Sequence, residues 1–217
     1  MERPTDTERY TMTTYAVEGP DATEQAKQPP YPGIRKLVAG DIMAWMKLWM
    51  PQRAAAGKIG VFDVIRLLWN YCGLRAVLLY RLSHALWKGH VPVLPGIFAQ
   101  LNVIIHGFDV PSCVEIGPGL YVPHPVGTVI MASRIGANVS LISSITIGMR
   151  NVPEFPTIGS NVFVGAGARI LGNIVIGDDV NIGANAVVLM DIPSGATAVG
   201  VPARILARKP APEQAGQ

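Results

Sequence analysis

Apolar residues fall at 110, 116, 122, 129, 135, 141, 147, 158, 164, 170, 176, 182 and 188, and most of the steps between them are six. Glycine follows the apolar residue at 117, 136, 148, 159, 165, 177 and 183. A fixed short period of this kind is the mark of a solenoid. Six residues make one short strand and one tight turn, and three such sides close a triangular coil. The apolar residue points inward and stacks on its counterparts in the coils above and below. Glycines and the asparagines at 138, 161, 181 and 185 suit corners where the backbone turns left-handed. Residues 107–203 therefore predict a mainly β domain, a parallel β-helix of a little over four coils.

The beat breaks twice. Between Val122 and Val129 the step is seven, and the break holds Pro123-His124-Pro125. Between Ile147 and Ile158 the step is eleven, so the stretch GMRNVPEFPT carries five extra residues. An insertion in a solenoid is pushed out as a loop, and such loops commonly build a binding face. The histidine and the loop are thus expected to mark one site.

Residues 34–106 read as helix. Val64, Leu67, Tyr71, Leu74, Leu78, Leu82 and Ala85 step by three and four and predict one apolar stripe, with Arg66, Asn70, Arg81 and Lys88 off it. Gly89, Pro92, Pro95 and Gly96 end that pattern. A shorter amphipathic helix is expected around Asp41–Met50. Residues 1–33 are polar and punctuated by five prolines, which predicts a flexible tail without the marks of a signal peptide. Residues 204–217 are expected to form a C-terminal tail.

Charge is unevenly spread. Residues 34–90 carry nine bases against Asp41 and Asp63, alongside Trp45, Trp49, Trp69 and Trp87. Such a block suits either a helical domain with a solvated basic face or peripheral contact with an anionic membrane. No nucleic-acid-binding motif accompanies the charge. The uncharged run from Val91 to Ile105 is too short and too rich in proline to span a bilayer. Cys72 and Cys113 have no metal-type spacing, and a reducing cytoplasm fits them best.

The stretch IGSNVFVGAGARILGNIVIGDDVNIGANAVVLMDIPSGATAVGVPARIL resembles the C-terminal half of serine O-acetyltransferases, and DVPSCVEIGPGLYVPHPVG is similar to their preceding segment. The resemblance implies a left-handed parallel β-helix with an N-terminal helical region, usually a trimer or a dimer of trimers. It further implies that acetyl-CoA binds between neighbouring subunits and donates its acetyl group to a hydroxyl of a small acceptor. Under it, His124 corresponds to the general base and Asp109, fifteen positions upstream and close to one coil away, to the residue that orients it. Ala166 and Ala184 correspond to backbone contacts for the pantetheine arm, and Arg204 to the arginine of the terminal motif.

Three positions depart from the family. Pro123 stands where an aspartate precedes the histidine. Glu154-Phe155 stands where an Arg-His pair holds the serine carboxylate, and Glu154 would repel a carboxylate. Those departures point to a sugar hydroxyl, of capsule or exopolysaccharide synthesis, as the alternative acceptor to L-serine. Arg150 is a further candidate for touching acceptor or CoA phosphate.

The chemistry is economical. A hydroxyl attacking a thioester must lose a proton, and the departing thiolate must gain one. A single neutral imidazole serves both steps, with a carboxylate on its other nitrogen fixing the tautomer. A zinc enzyme on this fold would need a cluster of histidines, and only His124 lies inside the repeat, so no metal is expected. His84, His90 and His106 are expected to be structural. A catalytically idle scaffold is the remaining reading.

Overall fold

The structure, a computed structural model, describes residues 31–57 and 59–206. The tail expected over residues 1–33 lies outside the described residues as far as residue 30, and so do residues 207–217. Tyr31, assigned to that tail, is packed: its hydroxyl donates to the Ile116 carbonyl at 2.8 Å and its ring lies edge-on to His84.

The helices come first: α1 Ile34–Trp49, α2 Pro51–Ala55, α3 Val61–Asn70, α4 Cys72–Lys88 and α5 Leu94–His106. α1 contains the short helix expected around 41–50 and begins seven residues earlier. The single stripe expected through residues 64–85 is two helices, because Tyr71 is extended at φ −123° and ψ 107°. That corner lets α4 turn a different face inward, made of Gly73, Leu74, Ala76, Val77, Tyr80, Arg81, Ser83 and His84. Leu82, expected on the apolar stripe, is 43% exposed, and Arg81, expected off it, is fully buried. The reason is the surface α4 meets. A coil of β-helix presents backbone carbonyls, so small and hydrogen-bonding side chains fit against it better than leucines do.

Gly73 is the closest point of that contact. A Cβ there would sit 1.8 Å from the Val122 carbonyl oxygen. Because the obstacle is backbone, either α4 or the first coil would have to move. Overpacking of this sort costs about 1–3 kcal/mol, occasionally more. Gly73→Ala is therefore expected to lower the unfolding free energy by about 3 kcal/mol in a denaturant titration, and a change under about 0.5 kcal/mol would show that the two surfaces are not pressed together.

The remaining described chain winds as three sheets of five, four and five strands, all parallel except the last strand, around one apolar column. Ile130, Ile147, Ile170 and Val188 stack on the first face. Ile116, Ile135, Ile158 and Ile176 stack on the second. Leu141, Val164, Ile182 and Ala198 stack on the third. All twelve are at most 2% exposed. The fold is a parallel β-helix with an N-terminal helical region. Residues 204–206, assigned to the tail, form a strand antiparallel to Thr197–Val199 and close the top edge.

One inward position differs from the sequence reading. Ile130, not Val129, is buried on the first face. The corner after Val122 holds two residues more than the six-residue beat allows, and the next side is one residue shorter, from Ile130 to Ile135. Val129 consequently pairs with Asp109 below and Thr146 above.

Candidate active site

Register fixes the site. His124 forms a parallel bridge with Ser143, so the two residues are neighbours on adjacent coils. Each stands two positions after an inward residue of the third face, Val122 and Leu141 respectively. Leu141 pairs with Val164, Val164 with Ile182, and Ile182 with Ala198. Two positions after each of these come Ala166, Ala184 and Gly200. His124, Ser143, Ala166, Ala184 and Gly200 therefore form one line up a single edge of the prism.

This edge is shaped by turn chemistry. Gly127, Ser144, Gly167 and Asn185 take φ of 73°, 51°, 73° and 57° along it. At His124 the turn is enlarged by the Pro-Val pair that follows, which leaves the imidazole exposed. Farther up the edge the turns are tight: Gly167 N–H donates to the Ser143 carbonyl and Asn185 N–H to the Ala166 carbonyl, both at 2.8 Å. Among the described residues the N–H groups of Ala166 and Ala184 have no backbone acceptor. An edge of small residues with free donors suits an extended amide-containing ligand.

Asp109 lies at the start of the first face, exposed, in register with Val129. The ion pairs among the described residues are Arg53–Asp63, Asp41–Arg81 and Lys88–Glu115, so Asp109 and His124 are not in direct contact in the single chain. Arg150 and Glu154 are exposed on the inserted loop, whereas Phe155 is 6% exposed and anchors its base. There the Phe155 carbonyl accepts from Ser133 Oγ at 3.0 Å. The loop leaves the prism between the first and second faces, while His124 stands between the third and the first. One chain thus puts loop and histidine on different edges. Arg204 is exposed on the closing strand, paired with Val199 next to Gly200.

Two of the other histidines are occupied in packing, whereas His90, expected to be structural, is exposed. His84 donates from Nδ1 to the Ser112 carbonyl at 2.8 Å, and His106 from Nδ1 to Asn102 Oδ1 at 2.9 Å. Burial lowers the pKa of both, which keeps them neutral. Among the described residues no group of three or more His, Cys, Asp or Glu is placed to hold a metal ion. Ser143 was missed by the sequence reading. Its only signal was its place two residues after Leu141, and that place becomes informative only once His124 is known to occupy the same one.

Residues 155–189 match the bacterial transferase hexapeptide (six repeats) family. A serine acetyltransferase of Helicobacter pylori is 42% identical over 142 residues, 64% of this chain and 83% of the relative. Soybean serine acetyltransferase complexed with serine is similar with a TM-score of 0.69 at 33% identity, over 81% of this chain and 70% of that one. A serine acetyltransferase in complex with CoA gives 0.65 at 30% identity, over 84% and 72%. Against a Synechocystis serine acetyltransferase, 41% identical, the matched stretch spans only 59% of the relative's length.

Proposed function

The chain belongs to the serine acetyltransferase family, and from that premise we propose that it is an acetyl-CoA-dependent O-acetyltransferase acting on L-serine, in the cytoplasm, in the supply of cysteine. The left-handed β-helix of that family is its fold. The observation that carries the reading is the edge on which His124 lies in line with Ala166 and Ala184.

In this mechanism the Ala166 and Ala184 N–H groups hold the pantetheine amides, and Arg204 meets the far end of CoA. Extended along the edge, the arm delivers its thioester toward His124. The imidazole removes the proton of the acceptor hydroxyl as the oxygen attacks the acetyl carbon. The same imidazolium then protonates the sulfur as the C–S bond breaks, giving the acetyl ester and free CoA. Asp109 orients the ring, since catalytic hydrogen bonds are often long without substrate and tighten in the complex.

The separation of loop and histidine supports a homotrimer. In a trimer a neighbour's loop would bring Arg150 and Glu154 to the His124 edge. Exposed Phe163, Val175 and Met190 on the coil faces support such packing. Phe62 and Trp69, both over 80% exposed on α3, support a further contact through the helices, as in a dimer of trimers. Among the described residues no helix is long and apolar enough to cross a membrane.

The loop favours a second acceptor. With Glu154 exposed and Phe155 turned into the core, the family's carboxylate-holding pair has no counterpart there. A sugar hydroxyl, which carries no carboxylate, meets no repulsion. The test is CoA release with L-serine and with a panel of nucleotide- and lipid-linked sugars, beside calorimetry of acetyl-CoA. Release dependent on L-serine is expected. Release with sugars alone would move the acceptor to the second reading, and absence of acetyl-CoA binding would leave only a scaffold.

A further inference from the structure

We propose that the Ser143 hydroxyl is the side-chain donor to the oxyanion formed when the acceptor attacks the thioester. The inference rests on the acetyltransferase reading above and adds a catalytic residue to it.

Ser143 stands one coil above His124 in direct register. Adjacent strands are about 4.8 Å apart. A ligand descending the edge past Ala184 and Ala166 therefore reaches the Ser143 level immediately before the base. Ser143 is the one member of the line besides His124 with a protic side chain. Its backbone is held, because its carbonyl accepts the Gly167 N–H at 2.8 Å. The residue is half-buried, and its hydroxyl lies at the surface with Ser144 Oγ 3.4 Å away, too long to compete with a charged acceptor. A fixed backbone carrying an uncommitted donor is what stabilisation of developing charge requires, since no reorganisation is then needed at the moment of reaction.

The step balances. The acceptor oxygen forms a bond to the acetyl carbon and its proton passes to His124. The carbonyl π pair moves onto oxygen, where Ser143 Oγ–H donates to it. Collapse restores the carbonyl and breaks the C–S bond, and the proton on His124 goes to the sulfur. Ser143 keeps its own proton throughout.

Removing one such donor costs about 10²–10³ in turnover. Ser143→Ala is expected to lower kcat by about 10²-fold, at the lower end because the hydroxyl lies at the surface. Acetyl-CoA affinity by calorimetry should stay within about threefold, and the pH profile of kcat/KM should keep its shape because the base is untouched. Ser143→Thr, which retains the hydroxyl, should recover most of the rate. Wild-type turnover in Ser143→Ala overturns the proposal. So does a loss confined to acetyl-CoA affinity, which would make Ser143 a binding contact, or a displaced pH profile, which would make it a partner of His124. If the wild-type protein binds acetyl-CoA but releases CoA with no acceptor, the enzymatic reading fails first and the proposal with it.

Discussion

His124→Ala is expected to reduce turnover by about 10²–10⁴-fold while leaving acetyl-CoA affinity nearly unchanged, since positioned proton transfer is worth that much in rate. The split between rate and affinity follows from the geometry. His124 stands at the foot of the edge and the proposed pantetheine contacts are backbone N–H groups two and three coils higher. Truncating the imidazole removes no group from those contacts. The enlarged turn also isolates the change: His124 is exposed, and the neighbouring buried positions are Pro125 and Val122. Loss of activity therefore cannot be ascribed to a disturbed core if the thermal midpoint is held. Asp109→Asn, acting through ring orientation, should cost less than His124→Ala. Steady-state kinetics with calorimetric titration of acetyl-CoA measures all of this. A variant that keeps wild-type turnover would transfer the base role to another group, and one that loses acetyl-CoA binding would put the imidazole in the binding site.

What the sequence disclosed depended on whether a residue's partner lies at a fixed spacing. Inside the β-helix the partner of each inward residue is one coil away, so Ile147, Ile170 and Val188 could be read from periodicity alone. Val129 was misread because two local departures, a longer corner and a shorter side, nearly cancel over the coil. The last coil was hidden for a similar reason. Ile192 follows Val188 by four residues, yet it bridges Ile176 and belongs to the second face. In the helical region the partner is a surface, not a period. The inward face of α4 is chosen by the backbone of the first coil, and no spacing within 64–85 encodes that. The site was legible in part. The six-residue beat stumbles at His124, but the line it shares with Ser143, Ala166 and Ala184 needs the register. The loop and the histidine, expected together, stand on different edges of one chain.

Arg81→Met is expected to destabilise the protein by about 3–5 kcal/mol, the usual consequence of leaving a buried charge without its partner. Arg81 and Asp41 are both fully buried, paired through Nε and Oδ2 at 2.8 Å and through Nη2 and Oδ1 at 3.1 Å. The guanidinium also donates to the carbonyls of Ile116 and Gly117, and Asp41 Oδ1 accepts the N–H groups of Gly119 and Leu120 at 2.9 and 2.8 Å. Two helices are thereby tied to one turn of the first coil. Burial pushes the Asp41 carboxyl above its ordinary range, against the pull of Arg81 and the two N–H groups. Desolvation thus offsets much of the attraction, and the cluster acts chiefly to fix where α1 and α4 sit. That accounts for a sharp response to single changes. Methionine matches the length of the arginine stem but leaves the carboxylate without its counter-charge and the Gly117 carbonyl without a donor, while the Ile116 carbonyl keeps the Tyr31 hydroxyl. Asp41→Leu with Arg81→Met removes both charges yet still orphans the Gly117 carbonyl and the N–H groups of Gly119 and Leu120, so it should recover only part of the loss. For a chain of this size a loss of 1 kcal/mol lowers the thermal midpoint by roughly 2–4 °C, so the single variant should melt about 6–20 °C lower. A shift below about 2 °C would mean that water reaches the cluster and that α1 and α4 are held by apolar packing alone.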